Sequence, residues 1–392
     1  MCLRSVAFVV AVAIFAVSVM SLPHDNWVGH RAWKSHFEKE NDDFEEDLFG
    51  ESLDTVVLSH VLFRHGNRTP DSIQELYPND PYLNETYYPY GLGQLTNAGK
   101  LKEFNIGVSL RKRYESFLGD TYLHETVEAI STDYNRTKAS LQLALAGLFP
   151  PKAEQVWNND LPWQPVPYNF LPRAQDNVLL GVLCPNYLRQ YERVVNSAEM
   201  KKKLKKHKQT LNYISKHSGL NVTRFQDIYN LYFGLSTEEE YGLVLPAWTR
   251  KVWPDAVVNL AIEEYYVSMA TDELIELASG YFLRKVLEDT LVKIYGNANS
   301  KKIYLYSAHE NNVAQLLMLL DVFTPHIPNY GAYVIMEVHK INGVFGFKIF
   351  YENYTGNGPR LLRIPSCGDF CPFERFIQLY RKYIPKDDNC GN

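Results

Sequence analysis

The sequence predicts an α/β protein with a mostly parallel central sheet, flanking helices, and an inserted, smaller, mainly helical domain. Two observations lead there. Val/Leu/Ile-rich runs with little alternation, as in "TVVLSHVLF" (Thr55 to Phe63), have the pattern of strands covered on both faces, and later runs pass through a polar turn into a helix. The segment 151–299 is instead helical in pattern almost throughout. At 392 residues, 46% hydrophobic and 22% charged, the chain has length for a main domain plus a second one.

Taken in order, residues 1–21 ("MCLRSVAFVVAVAIFAVSVMS") read as a cleaved secretory signal: an early Arg4, an apolar core from Val6 to Val19, and small residues at Ser18 and Ser21. The apolar run is shorter than the ~20 residues of a bilayer span, and no later segment is long and apolar enough to make one. Residues 22–52 include "HFEKENDDFEEDLFGES", an acidic stretch without apolar periodicity that reads as a solvated leader. The first part of the α/β domain is expected at 53–150. Within it "TVEAISTDYNRTKASLQLALAGLF" predicts a strand ending near Ser131, a turn, and a helix carrying Leu141, Leu145 and Leu148 at helical spacing.

In the helical insert, 151–299, the run Lys201 to Lys208 reads as a solvated helix face rather than a patch for an acidic partner. The second part of the α/β domain, 300–392, opens with "KKIYLYSAHENNVAQLLMLL", a strand over Ile303 to Ser307 and a helix from near Glu310. "YVIMEVHKINGVFGFKIFYEN" then predicts a hairpin about Asn342-Gly343, an antiparallel edge for the sheet. No internal repeat is present.

Each polar cluster falls where a strand hands over to a helix. Ligands of open α/β sheets bind beyond the strand carboxyl ends, where helix N-termini favour anions. The densest cluster is "LFRHGNRTP", which places Arg64, His65 and Arg68 within five residues. Arginine forks donate paired hydrogen bonds to phosphate oxygens, and their field disfavours imidazolium, so His65 is expected neutral with a lone pair free for attack. Gly66 is expected to let backbone approach the phosphate closely, and Pro70 to stiffen the exit. R-H-G-x-R-x-P arises by chance in a chain this long on the order of once in ten thousand sequences. The net charge of -5 provides no general basic field for nucleic acid, so the cationic site is local.

Of five cysteines, Cys2 leaves with the signal, and Cys184, Cys367, Cys371 and Cys390 form an even set suited to an oxidising compartment. "SCGDFCP" has no partner pair with zinc spacing, so a local Cys367/Cys371 disulfide is expected, with Cys184/Cys390 as the remaining pair. Sequons occur at Asn67, Asn84, Asn135, Asn221 and Asn353. Asn67 lies in the cationic cluster and Asn135 adjoins Arg136, so glycans are expected at Asn84, Asn221 and Asn353.

From Leu53 to Cys390 the chain resembles the histidine acid phosphatases, the branch of the histidine phosphatase superfamily that includes prostatic and lysosomal acid phosphatases, and it is most similar to the insect venom group. "LFRHGNRTP" matches the family's catalytic signature, "GLGQLTNAG" a following segment, "STDYNRT" the site of a third arginine, "YSAHENN" the distal histidine motif, and "CGDFCPFERF" the C-terminal disulfide loop. The resemblance implies that His65 becomes phosphohistidine, that Arg64, Arg68 and Arg136 hold the phosphoryl oxygens, and that His309 donates to the same group. It implies neither metal nor cofactor. Both expected disulfides match family pairs, while a further family disulfide within the helical domain has no cysteines here.

One departure matters. Most relatives carry His-Asp in the distal motif, and that aspartic acid protonates the leaving oxygen; here the position is Glu310, one methylene longer, expected to keep the role. The function implied is a secreted, or lysosomal, acid phosphatase acting on phosphomonoesters of small molecules or proteins, without nucleic-acid partner, and dimeric as family members often are. Inositol phosphates, lysophospholipids and phosphotyrosine are all open as substrates, although a phytate enzyme would want extra cations about the pocket. The alternative is a secreted phosphate-ligand-binding protein of the same fold that has lost turnover.

Overall fold

The computed structural model describes residues 53–391 apart from 72–73, 297–300, 357 and 388. The expected signal peptide (1–21) and the acidic segment 22–52 lie outside the described residues.

Strand β1 (Val56–Arg64) is buried along almost its whole length. Leu58 and Leu62 belong to one apolar cluster, whereas Val61 and Phe63 belong to another on the opposite face, which is why the strand shows no alternation. β2 (Val127–Ser131), β3 (Asn169–Phe170) and β4 (Ile303–Ala308) join it in the order β3-β2-β4-β1, all parallel. Beyond β1 come β5 (Tyr333–Ile341), β6 (Val344–Glu352) and β7 (Arg360–Leu362), with β8 (Cys371–Pro372) also on β6, all in antiparallel pairs. β1 to β4 and β6 thus run one way, and β5, β7 and β8 the other. The β5/β6 hairpin turns at Asn342 (φ 49°) and Gly343 (φ 84°), the pair of positive φ values that Asn-Gly supplies.

Helices α1 (Asn97–Leu118) and α2 (Asn135–Leu148) cover the face carrying Val61 and Phe63. Thr96 caps α1 by accepting the Gly99 N–H, and Gly119 (φ 80°) ends it. On α1, Arg113 makes a buried, two-pronged ion pair with Glu337 of β5 at 2.6 and 2.7 Å, and the Tyr114 hydroxyl donates to the same carboxylate.

Between β3 and β4 run α3 (Pro185–Val195), α4 (Ala198–Lys206), α5 (Lys208–Ser218), α6 (Phe225–Glu240) and α7 (Asp255–Ser268). A last helix enters as α8 (Asp272–Ile275), widens through a π turn (Glu276–Gly280) and continues as α9 (Tyr281–Tyr295). They share one apolar cluster with Leu58, Leu62, Tyr306 and Val334 of the sheet. The lysine run spans α4 and α5, broken at His207, and Lys203 pairs with Glu263. α10 (Glu310–Leu319) follows β4 directly, and α11 (Phe373–Tyr380) packs its Phe376 on Phe347 of β6. Disulfides join Cys184 at the head of α3 to Cys390, and Cys367 to Cys371. Among the described residues no helix is long and apolar enough to cross a membrane.

One buried acidic pair stands apart from the sheet. Glu238 of α6 faces Asp80, with the Tyr77 and Tyr87 rings nearby. Apart from the hydrogen bond the two carboxyls share when Glu238 is protonated, neither Glu238 oxygen nor Asp80 Oδ2 meets a donor among the described residues. Burial, then the Asp80 charge, pushes the Glu238 carboxyl up to about 8. Burial likewise pushes Glu264 up to about 8. Each acid holds its proton more tightly folded than unfolded, so its stabilising contribution is complete below the ordinary carboxyl range and is lost as pH rises to about 8. Buried His60, lowered to about 3, costs stability only below pH 6.5 and does not interfere above it. The melting temperature should therefore fall between pH 6.5 and pH 8, and Glu238→Gln should flatten that fall; an unchanged slope in a thermal-denaturation series would refute the assignment.

Candidate active site

The site begins with strand register. β1 and β4 are parallel and pair Arg64 with Ala308, so the next residue on each strand is a histidine. The His65 N–H donates to the Ala308 carbonyl at 3.0 Å, and the His65 and His309 rings stand 5.6 Å apart, edge to face. On the far side of β4, β2 pairs Ser131 with Ser307, and Arg136 follows in the first turn of α2. Three strand ends thus converge. His65, Arg68, Arg136, His309 and Glu310 line one cleft of about 230 Å³, while Arg64 is buried beside it with its Nε 3.8 Å from Glu310 Oε2.

His65 Nδ1 lies 2.9 Å from the Gly66 carbonyl. A carbonyl only accepts, so Nδ1 carries the proton and Nε2 keeps its lone pair. Burial, then the charges of Arg136 and Arg64, hold this imidazole well below its usual pKa, hence neutral.

Gly66 has a different reason from the one expected. A Cβ there would sit 2.4 Å from the Gly99 carbonyl oxygen, and one on Gly99 would sit 2.1 Å from that of Asn67. The two glycines let the loop after β1 lie directly on the first turn of α1; Gly66 is not part of the cleft lining. The exit is also held by backbone bonds, Gly93 N–H to Pro70 at 2.8 Å and Thr69 N–H to Gln94 at 3.1 Å, which gives "GLGQLTNAG" its structural role.

Each arginine is anchored on one side. Arg68 makes two 2.7 Å bonds to Glu75 and a third, at 3.0 Å, to the Thr69 carbonyl. Arg136 makes a two-pronged contact with Asp71, both arms 3.0 Å. Arg64 donates to the Pro328 carbonyl at 2.6 Å and lies 3.7 Å over the Tyr330 ring. The Nε groups of all three, and Arg64 Nη2, are buried without a hydrogen-bond partner among the described residues. Buried cationic N–H groups left in this state are donors suited to an anion.

His309 Nε2 is 3.1 Å from Thr132 Oγ1, itself 2.8 Å from Thr137 Oγ1, and the His309 backbone N–H is capped by Asn312 Oδ1. Burial, then Arg136 and Arg68, keeps this ring neutral too. Glu310 opens α10, and its Oε1 accepts the hydroxyl of Tyr229 from α6. Sequence reasoning missed Asp71, Glu75, Tyr229, Tyr330 and Thr132. Asp71 and Glu75 follow Arg68 closely enough to be suspected as its partners, but nothing local pointed to Tyr229.

Of the sequon asparagines, Asn84 and Asn221 are exposed. Asn67 Nδ2, where a glycan would attach, donates to Glu240 at 3.1 Å, and half-buried Asn353 uses its Oδ1 to accept the Asn329 N–H at 2.8 Å.

Neutral imidazole, unpartnered guanidinium N–H groups and convergent strand ends describe a phosphate site centred on histidine, carried on an α/β sheet. The model of the histidine phosphatase superfamily (branch 2) matches residues 55–352, and the chain belongs to this family. It is 39% identical to venom acid phosphatase Acph-1 of Apis mellifera over 84% of this chain and 85% of the relative, and 32% identical to prostatic acid phosphatase of Homo sapiens over 86% and 89%. Among solved structures, Hafnia alvei phytase in its apo form shares the fold with a TM-score of 0.64 at 16% identity, covering 84% of this chain and 97% of that one. The chain is an acid phosphatase, a phosphoric monoester hydrolase.

Because Arg136 is, after burial, the charge that most depresses His65, Arg136→Gln should raise the His65 pKa. The pH midpoint for inactivation by diethyl pyrocarbonate, which consumes neutral imidazole, should move up with it, and kcat/KM should fall about 10²-fold. A midpoint that stayed in place would show that Arg136 does not set the histidine's charge.

Proposed function

We propose that the protein is a secreted acid phosphatase that hydrolyses phosphate monoesters through a phosphohistidine and needs no metal. The observation carrying this reading is His65 Nε2, deprotonated by its own geometry and set among guanidinium N–H groups with free hydrogen-bonding capacity. In the first step the Nε2 lone pair attacks phosphorus, the N–P bond forms, and the P–O bond to the alcohol breaks. Glu310 gives its proton to the departing oxygen. In the second step the Glu310 carboxylate takes a proton from water, the resulting hydroxide attacks phosphorus, and the N–P bond breaks to release phosphate and restore His65. Arg64, Arg68, Arg136 and His309 stabilise the charge on the phosphoryl oxygens in both steps. Acid pH suits the cycle because Glu310 must carry a proton when the alcohol leaves.

Tyr229 supports Glu310 as the acid: its hydroxyl donates to Oε1 and fixes the side chain at the cleft. The apolar N-terminal segment, the two disulfides and the exposed Asn84 and Asn221 support export, with glycans at those positions and at Asn353. In this reading 151–299 is a helical insert between 53–150 and 300–392, and it shapes the side of the cleft from which the alcohol departs.

The test is p-nitrophenyl phosphate hydrolysis across pH in excess EDTA, alongside His65→Ala. Chelator-resistant turnover with an acid optimum is expected, with a loss in the variant of about 10⁴-fold or more. A quenched reaction with radiolabelled substrate should trap an acid-labile, base-stable phosphoprotein. Phosphate binding without turnover would instead mark a binding protein. Separately, Glu310→Gln should slow glycerol 2-phosphate turnover by about 10²-fold and p-nitrophenyl phosphate much less, since p-nitrophenolate leaves without a proton; equal effects on both would remove Glu310 from the acid role.

A further inference from the structure

The fourth parallel strand also delivers a cation. β3 pairs its Asn169 and Phe170 with Ile130 and Ser131 of β2, and the chain leaving it makes a single 3-10 turn at Arg173–Gln175. Arg173 therefore comes off the same end of the sheet as His65, Arg136 and His309. Its side chain reaches the site by way of Tyr134, the half-buried residue just before α2, whose ring lines the cleft. Arg173 Cζ lies 3.8 Å from the centroid of that ring, and Arg136 Cζ lies 4.7 Å from the same centroid. The ring also meets His309 edge to face, with centroids 4.9 Å apart. One aromatic ring thus links the arginine of the phosphate cradle to a second arginine outside it, and the two guanidinium carbons cannot be farther apart than those two distances together.

Arg173 is exposed, yet it is held in place. Its Nε donates to the Asp133 carbonyl at 3.0 Å, and its guanidinium rests on the Tyr134 ring. Among the described residues no carboxylate pairs with it: Asp133 pairs with Lys138, Asp71 with Arg136 and Glu75 with Arg68. The fork that binds a carboxylate or a phosphate in two-pronged geometry is therefore left to an acceptor from outside the chain. Its charge also reaches the reaction centre, since it is among those that hold His309 neutral.

We propose that Arg173 is a specificity-determining residue: it binds a second anionic group of the substrate, a carboxylate or a phosphate carried one ring's span from the transferred phosphoryl group, and so directs the enzyme toward phosphomonoesters with two anionic ends. The inference rests on the transferred phosphate lying against Arg136, as in the reaction proposed above.

The experiment compares kcat/KM for 4-carboxyphenyl phosphate, 4-phosphonophenyl phosphate and the neutral analogue 4-carbamoylphenyl phosphate, at low ionic strength and at a pH where the carboxylate is ionised, in the wild type, Arg173→Gln and Arg173→Glu. The wild type should favour at least one of the anionic esters over the carbamoyl ester by about fivefold, which also tells carboxylate from phosphate as the group recognised. Arg173→Gln should bring that ratio to about one, and Arg173→Glu should carry it below one. Because the ratio is taken within each protein, a general effect of the substitution on packing or on His309 cancels. A wild-type ratio at or below one for both anionic esters, or a ratio that survives in both variants, would overturn the proposal. Calorimetric binding of 4-phosphonobenzoate and of 4-carbamoylphenylphosphonate gives the same ratio without chemistry, with the same outcomes expected. Absence of turnover in the wild type would count against the proposed reaction alone, while the affinity ratio would still decide the role of Arg173.

Discussion

The parallel pairing of β1 with β4 is the constraint on which the site depends. It aligns Arg64 with Ala308, and the two histidines that follow can meet only in that register. A slip of one residue would turn one ring to the opposite face of the sheet. The pairing is held from both sides: α1 and α2 cover one face, the helices between β3 and β4 cover the other, and the Arg113–Glu337 ion pair ties α1 to β5. The loop carrying His65 is then pressed on α1 through Gly66 and Gly99, so His65 rests on packed backbone.

On that frame the cations are arranged by what they are bonded to away from the cleft. Three guanidinium groups near one another repel, and each is secured by a carboxylate or carbonyl: Glu75 for Arg68, Asp71 for Arg136, Pro328 for Arg64. These contacts orient the forks and leave Nε groups free, which is the preorganisation that phosphoryl transfer uses. The same field acts on the imidazoles. His65 and His309 are buried among positive charges and stay neutral, so one arrangement supplies both the anion cradle and the free lone pair. Glu310 completes it from a third direction, braced by Tyr229 and near Arg64.

Acidity runs through the rest of the molecule as well. Glu238 and Glu264 are buried carboxyls that keep their protons up to about pH 8, one against Asp80 and the other beneath the Tyr191 hydroxyl. Glu238 lies on α6, which also supplies Tyr229 to the cleft, and Glu264 lies on α7. The helix that carries Tyr229 to the cleft, and the helix packed on it, therefore both hold a carboxyl whose protonation favours folding.

Much was legible in the residues because it is local. The unalternating strand at Thr55 to Phe63, the strand-to-helix turns before Arg136 and Glu310, the Asn-Gly hairpin and the cationic cluster at Arg64, His65 and Arg68 each lie within one short stretch, where periodicity and turn chemistry operate. That locality also misled, since Gly66 looked like a phosphate contact until Gly99, 33 positions onward, was seen against it. What only the tertiary structure decided joins distant parts of the chain: Tyr229 with Glu310 across 81 positions, Arg113 with Glu337 across 224, and Arg173 with Asp133 across 40. The sequence by itself determined which groups could do the chemistry, because side-chain type and neighbouring residues set that. Their mutual distances, their charge states and the shape of the space beside them came from packing, because burial and through-space fields have no signature along the chain.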